Sequence, residues 1–189
     1  MMERIAVIGG TEAAAEIAAL MARAGYVTCL QEADPAGLAE AGRRLRKRLH
    51  APAAGGGAAV AQLARVRVRL EADLEMAVAD ADLVLEATDL DLPARRELFA
   101  RLDGLAPAHA ILATCWPTIS SAYLAAATSR PDRVISLGFF LPPLAPAAVA
   151  LIQEPHLAPE VLAAVAGVVW RTGREPLLFR RGREPEGQA

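Results

Sequence analysis

The stretch RIAVIGGTEAAAEIAALMARAGYVTCLQE, residues 4–32, decides the fold. After Arg4, residues 5–8 form a short apolar run that stops at Gly9-Gly10. A run of this kind reads as a parallel strand buried on both faces. Ile17, Leu20 and Met21 then recur at helical spacing, and Gly25 is a stop signal. A second strand follows over 26–31 and ends at Glu32. Outward from this unit the alternation continues. Pro35 opens a helix that runs to about His50, at a position where its missing N–H costs nothing. APAAGGG, residues 51–57, is a flexible break. A short helix to about Ala64 leads to a strand over 66–70 with one exposed face or edge. Beyond it, helices are expected over 74–78, 93–102, 118–127 and 159–171. Strands are expected over 82–86, 110–113, 134–137, 149–152 and 176–179. Strands alternating with helices predict an α/β fold, a doubly wound and mostly parallel sheet with helices on both faces. One domain over 1–180 and a charged, fraying tail over 181–189 are expected, with no internal repeat.

Composition narrows the classes. The 189 residues carry 20 basic and 22 acidic side chains, a net charge of −2, which argues against a nucleic-acid binder. A content of 54% hydrophobic and 22% charged residues excludes disorder for most of the chain. Two cysteines, Cys29 and Cys115, exclude a disulfide scaffold and a cysteine-built metal site. Residues 104–129 lack Asp, Glu, Lys and Arg, long enough to span a bilayer. Pro107, His109, Pro117, Ser120 and Ser121 break that stretch into loop, strand, loop and helix. Pro142, Pro143 and Pro146 break the uncharged stretch 136–153. No membrane span is expected, no signal peptide is visible, and a cytoplasmic location follows as the expectation.

The glycine turn matches the dinucleotide fingerprint incompletely. In the full motif one glycine makes the turn, a second lets the backbone approach a pyrophosphate, and a third packs helix on strand. Here the ungapped match is Gly9-Gly10-Thr11-Glu12-Ala13-Ala14. Thr11 stands at the second position and Ala14 at the third. Glu32, 23 residues after Gly9, is placed to bond a ribose diol and to favour NAD over NADP. Thr11 is a good helix N-cap, and its oxygen competes with phosphate for the helix amides. Glu12 and Glu16 suit the positive end of a helix and repel a pyrophosphate. Two readings stand: a cofactor site, or a helix that caps itself and binds nothing.

The stretches ADADLVLEA (79–87), RRELFARLDGLAPAHAILAT (95–114) and LAAATSRPDRVISLGFF (124–140), with Pro142, carry a more specific signal. With the first strand, Tyr26 and Glu32, they resemble the NAD-binding domain of 3-hydroxyacyl-CoA dehydrogenases over nearly the whole chain. The resemblance implies a Rossmann-type sheet with a helical excursion between the second and third strands, in a region that faces CoA in the family. The basic helix Arg43–Arg48 and the Gly55–Gly57 break fall there. It also implies where the chemistry is missing. The family's base is the His of an H-F-F-N-P motif, and that position is Gly138, in Gly138-Phe139-Phe140-Leu141-Pro142. The Glu that orients this His corresponds to Ala150, and the motif's Asn to Leu141. The substrate loop N-T-S-S becomes Cys115-Trp116-Pro117-Thr118, so the substrate Ser falls on Pro117, with Thr118 one residue away. A family Glu that contacts cofactor becomes Leu90, and a Lys that reaches it becomes Arg95. The family's C-terminal helical domain, which closes over the acyl-CoA, would begin where this chain stops.

The candidate cofactor-binding residues are therefore Gly9, Gly10, Thr11, Glu12 and Glu32 at the turn, Ala87, Thr88, Leu90 and Arg95 after the fourth strand, and Cys115 after the fifth. No catalytic residue or metal ligand is assigned, because a general base cannot be made from Gly138 and Ala150. His50, His109 and His156 are expected to play plain surface roles. Asp89 and Asp91 read as solvated loop acids. Cys115 reads as a small buried residue, and Tyr123 as a helix-face packing residue, with no lysine four residues on. The Arg43–Arg48 run reads as an exposed helix face, or as a site for nucleotide or CoA phosphates. The apolar stretch 138–152 is expected to expose a face for self-association or a partner protein.

Three functions are expected. The first is a stand-alone, catalytically silent relative with NAD binding that is weak or vestigial. The second is an NAD-dependent oxidoreductase acting on a hydroxyacyl thioester, as in fatty acid metabolism, through other groups or a partner chain. The third is an interaction module without ligand.

Overall fold

In the computed structural model, residues 2–50, 64, 67–139 and 148–181 are described. Among them the strands are β1 (Arg4–Ile8), β2 (Val27–Gln31), β3 (Val68–Glu71), β4 (Leu83–Glu86), β5 (Ile111–Thr114), β6 (Val134–Phe139), β7 (Ala148–Gln153) and β8 (Glu175–Arg180). The helices are α1 (Glu12–Arg23), α2 (Pro35–His50), α3 (Leu74–Val78), α4 (Leu92–Leu105), α5 (Ser121–Ala125) and α6 (Pro159–Arg171), with a 3₁₀ turn at Pro131–Arg133. The strands form one sheet in the order β3-β2-β1-β4-β5-β6-β7-β8. Every pairing is parallel except β6 with β7. This is the doubly wound, Rossmann-type sheet that the alternation predicts.

Successive strand residues point to opposite faces, so each strand feeds two cores. Ile5, Val7, Leu30, Leu83 and Leu85 pack with α1, α2 and α6 on one face. Ala6, Ile8, Cys29, Val84 and Leu112 pack with α3, α4 and α5 on the other. On α1 the buried stripe is mostly alanine: Ala14, Ala15, Ala18 and Ala22, with Ile17 and Met21. Small side chains there bring the helix close to the sheet, which places its N-terminus at the end of β1.

Three local results differ from expectation. The helix expected over 118–127 contracts to α5, because its first amides are taken by the Glu154 carboxylate from the end of β7. Arg181, placed in the fraying tail by the sequence, is anchored: its backbone N–H bonds the Gln153 carbonyl at 2.9 Å and its guanidinium bonds Glu154. The apolar stretch 138–152 does not expose its described part. Gly138 and Ala148 to Ile152 are buried, because β8 extends the sheet past β7 and α6 covers it. Exposed apolar side chains appear instead at Trp170, Leu178 and Phe179. The 51–57 break, the helix before Ala64, Phe140, Leu141, Pro142 and the tail after Arg181 lie outside the described residues.

Candidate functional site

The sheet order reverses at β1, which has β2 on one side and β4 on the other. Crevices that hold ligands form at the carboxyl ends of strands at such a switch point. A cleft of about 770 Å³ opens there. It is lined by the glycine turn, Gln31 and Glu32 after β2, Arg44 of α2, Asp73 and Leu74, the loop Thr88-Asp89-Leu90, and Leu98 and Arg101 of α4.

The turn is built by one obligatory glycine. Gly9 has φ of +122°, and a Cβ there would lie 2.9 Å from the Ala87 carbonyl oxygen. Its N–H donates to the Gln31 carbonyl at 2.8 Å, tying the turn to β2. Gly10 serves a different purpose. A Cβ on it would meet Glu32 Oε2 at 2.7 Å, and a Cβ on Gly37 would meet Glu32 Cγ at 3.0 Å. The Glu32 carboxylate thus lies between two glycines, with Oε1 accepting the Asp34 N–H at 3.1 Å. It faces the cleft where the sequence places a diol acceptor.

Thr11 fills the gap left by the missing second glycine. Its hydroxyl accepts the Ala14 N–H at 3.0 Å and donates to the Ala87 carbonyl at 2.8 Å. The N-terminus of α1 is therefore capped by its own side chain, and the cap is fastened to the loop after β4. The residues here fit one part of a dinucleotide better than another. Gly9 and Glu32 fit a nucleoside, whereas Thr11 occupies the place and the amide that a pyrophosphate uses.

Glu12 does not act as a lone repulsive charge. It pairs with Arg48 and, at 3.4 Å, with Arg44, while Glu16 pairs with Arg48 at 2.9 Å. Glu12 and Glu16 are four apart on α1, and Arg44 and Arg48 four apart on α2, so two complementary stripes meet. That spacing was the available signal for Arg44. Within the Arg43–Arg48 run, Arg43 and Arg44 both pair with Glu40 on their own helix, and Arg44 in addition reaches the glycine turn, donating Nη1 to the Gly10 carbonyl at 2.7 Å.

The loop after β4 rests on a buried carboxylate. Glu86 is 0% exposed. It accepts the Thr88 N–H at 2.9 Å, the Thr114 hydroxyl at 2.7 Å and Arg95 Nε at 3.0 Å. Arg95 also donates to the Thr88 carbonyl, which takes the Trp116 indole N–H as well. Arg95 therefore lies beneath the loop and not in the cleft, a correction to its expected place. A cation nine residues after a strand-end acid turns inward to neutralise it. Asp91 is likewise a structural residue, the N-cap of α4, with its side chain accepting the Ala94 N–H at 2.9 Å. Leu90, Thr88 and Asp89 line the cleft. Ala87 is buried and contributes its carbonyl to Thr11.

Beyond Thr11 lies a second pocket of about 210 Å³, lined by Ala13, Ile17, Ala87, Cys115, Trp116, Pro117, Gly138 and Phe139. Its lining shares no residue with the cleft. Its one titratable side chain is Cys115. Burial, with the nearby Glu86 charge, holds that thiol well above its ordinary range. Burial likewise pushes Cys29 up to about 11. Both stay protonated at neutral pH and neither is an activated nucleophile.

His156 is not a plain surface residue. Its Nε2 lies 3.1 Å from the Val134 carbonyl and 3.4 Å from Ser121 Oγ, and its Nδ1 lies 3.9 Å from Glu154 Oε2. The order Ser, His, Glu suggests a nucleophilic triad, but the bonding forbids it. A carbonyl only accepts, so Nε2 carries the proton and cannot take one from Ser121. Ser121 is also fully buried. The cluster is a polar clamp on α5. His109 is exposed and bonds Asp82 at 3.1 Å, and His50 is exposed. Tyr123 is exposed beside Arg96, not packed. Among the described residues no group of three or more His, Cys, Asp or Glu could hold a metal ion, and no helix is long and apolar enough to cross a membrane.

The family described as the NAD binding domain of 3-hydroxyacyl-CoA dehydrogenase matches residues 4–181. The chain belongs to this family. A probable 3-hydroxybutyryl-CoA dehydrogenase of Bacillus subtilis is 31% identical over 143 residues, covering 75% of this chain and 50% of that protein. The mitochondrial hydroxyacyl-coenzyme A dehydrogenase of Sus scrofa is 27% identical over 184 residues, covering 94% and 59%. The crystal structure of 3-hydroxybutyryl-CoA dehydrogenase from Escherichia coli K12 superposes with a TM-score of 0.88 at 27% identity, over 95% of this chain and 38% of that one. The chain thus spans about half the length of the curated relatives it matches. NAD is the cofactor that family membership supports.

The positions that the family resemblance assigns to base and orienter fall together in the structure. Gly138 and Ala150 are direct partners across the antiparallel β6–β7 pair. A Cβ on Gly138 would meet Pro117 Cγ at 2.9 Å and the Ala150 Cβ at 3.3 Å. Pro117 occupies the space that a longer side chain at 138 would need. Thr118 is exposed in the turn and does not line either pocket.

Proposed function

We propose that this chain is a nucleotide-binding member of the dehydrogenase family that does not carry out the family's His-Glu dehydrogenation. The observation that carries the reading is the Gly138–Ala150 pair with Pro117 packed against it. Proton abstraction needs a titratable group within hydrogen-bond reach of the substrate hydroxyl. Among the described residues that line the second pocket, the only such group is the Cys115 thiol, held protonated. The polar half of the site keeps its equipment: Gly9 for the turn, Glu32 for a diol, and a cleft of ligand size.

NAD, in this reading, binds weakly. The candidate contacts that remain are Gly9, Gly10, Glu32, Thr88 and Leu90; Ala87, Glu12, Arg95 and Cys115 act from behind them. The test is reduction of acetoacetyl-CoA by NADH, and the reverse oxidation of 3-hydroxybutyryl-CoA, with purified protein. No turnover above the uncatalysed rate is expected. Turnover that survives repurification, and that Thr11→Gly or Cys115→Ala changes, would show that other groups do the chemistry and would overturn the proposal.

A further inference from the structure

The site is divided, and the division selects a ligand. The Thr11 hydroxyl spans from the α1 N-terminus to the Ala87 carbonyl, with both its donor and acceptor used internally. This bridge joins a residue lining the 770 Å³ cleft to one lining the 210 Å³ pocket, and the two linings share no residue. Small-molecule sites usually fall between about 300 and 1,000 Å³. The cleft lies within that range and the pocket below it. A dinucleotide must occupy both sides of the bridge at once, whereas one nucleoside needs only the cleft.

The cleft carries the groups that one nucleoside phosphate asks for. Glu32 and Arg44 both touch Gly10, one through its carboxylate and the other through Nη1 at 2.7 Å from the Gly10 carbonyl. A carboxylate suited to a diol and a guanidinium suited to phosphate thus border the same glycine, the guanidinium held in place by Glu12 at 3.4 Å and Glu40 at 3.1 Å. Guanidinium suits phosphate because its planar fork matches two oxygens. On the opposite wall Leu74, Leu90 and Leu98 present apolar surface for a flat base. Arg101 faces the cleft beside them with no hydrogen bond or ion pair to the described residues. A free guanidinium stacks on an aromatic ring.

We propose that the cleft binds a nucleoside monophosphate in preference to a whole dinucleotide, with the diol on Glu32, the phosphate on Arg44 and the base against Arg101, and that Thr11 sets this preference. The inference rests on the nucleotide-binding reading above and narrows it to one ligand class.

Titration calorimetry at low salt with AMP, adenosine and NAD⁺ tests it. Wild type binds AMP at least tenfold more tightly than NAD⁺ and about tenfold more tightly than adenosine. Thr11→Gly tightens NAD⁺ about tenfold and AMP by less, so the preference for AMP falls. Arg44→Gln weakens AMP about tenfold, to the level at which adenosine binds wild type, and an unchanged circular-dichroism spectrum reports that the variant is folded. Arg44→Lys keeps the surrounding ion pairs and gives the same trend at smaller amplitude if Arg44→Gln does not fold. NAD⁺ binding as tight as AMP on wild type overturns the preference and leaves the nucleotide reading standing. AMP no tighter than adenosine overturns the role of Arg44. Binding of none of the three by wild type or Thr11→Gly overturns both readings together.

Discussion

The cleft over Glu32 and the pocket under Gly138 are linked by one hydrogen bond, from Thr11 in the lining of the first to Ala87 in the lining of the second, and they differ in chemistry. The cleft carries side chains with charge and direction: Glu32, Arg44, Asp89, Arg101. The pocket is lined by apolar groups and a protonated thiol. Yet the backbone under the pocket is as regular as that under the cleft, with Gly138 in register opposite Ala150. Fold and chemistry make separable demands. A parallel sheet needs apolar alternation and a glycine with positive φ; proton transfer needs two particular side chains. The structure meets the first set, and in our proposal the second is unmet at Gly138 and Ala150.

The comparison breaks most easily at Glu86, which supports the loop shared by both pockets. Arg95→Ala leaves a carboxylate buried without its cation, and unfolding in urea should show a loss of about 3–5 kcal/mol. Glu86→Gln in the same background recovers part of this, because a neutral amide is less costly to bury than a charge. An Arg95→Ala variant as stable as wild type would mean that the ion pair does not hold the loop.

Next in size is Glu154, which fastens α5 and the Pro117 turn on the pocket side. Burial pushes its carboxyl up, but the Ala122 N–H, the Ser120 hydroxyl, the Ser121 N–H and Arg181 together hold it below the ordinary value. A carboxyl with a folded pKa below its unfolded one stabilises the fold above the unfolded value, near 4.5, and loses that contribution as pH falls through the folded value. Glu154→Gln should therefore cost about 1.5–3 kcal/mol at neutral pH, the range for hydrogen bonds to a charged group. The gap from wild type should narrow below pH 4.5. A gap that stays constant from pH 7 to pH 3 would show that packing, not charge, is what Glu154 supplies. Arg181 pairs with it at 3.0 Å and His156 Nδ1 lies 3.9 Å away, and neither is altered by the variant.

Gly138→Ala probes the pocket itself. The added methyl meets Pro117 at 2.9 Å, and overpacking of this kind costs about 1–3 kcal/mol. Pro117→Ala should restore the loss if the prolyl ring is what fills the place. An unaltered denaturation midpoint for Gly138→Ala would remove the argument that a larger residue is excluded there.

How much of this was legible in the sequence follows the range of the interactions. β1, α1 and β2 could be read because each is decided by neighbours three or four residues away. The place of Glu32 at the cleft could be read because it follows the second strand of the glycine-turn unit. Arg44 required recognising that two stripes, Glu12–Glu16 and Arg44–Arg48, face each other across two helices. Arg95 was placed at the cleft by family position, and Glu86 draws it inward. His156, flanked by Pro155 and a loop, reads as surface until β6 brings the Val134 carbonyl to it. The 138–152 stretch reads as an exposed apolar face because β8, which covers its edge, is more than twenty residues further along.

The smallest effect falls on the residue that divides the two pockets. Thr11→Ala removes the N-cap of α1, a loss of about 1 kcal/mol. It also frees the Ala87 carbonyl. Thr11→Ser keeps both hydrogen bonds and sheds only a methyl group, so its stability should match wild type. Thr11→Val keeps the shape and sheds the hydroxyl, so it should lose as much as Thr11→Ala. This trio separates two functions of one side chain. If stability follows the hydroxyl, Thr11 closes the helix end by hydrogen bonding, and a phosphate has no free amide there to replace it. If stability is the same in all three, the cap is idle, the α1 N-terminus is open in energetic terms, and the boundary between cleft and pocket is one of space alone.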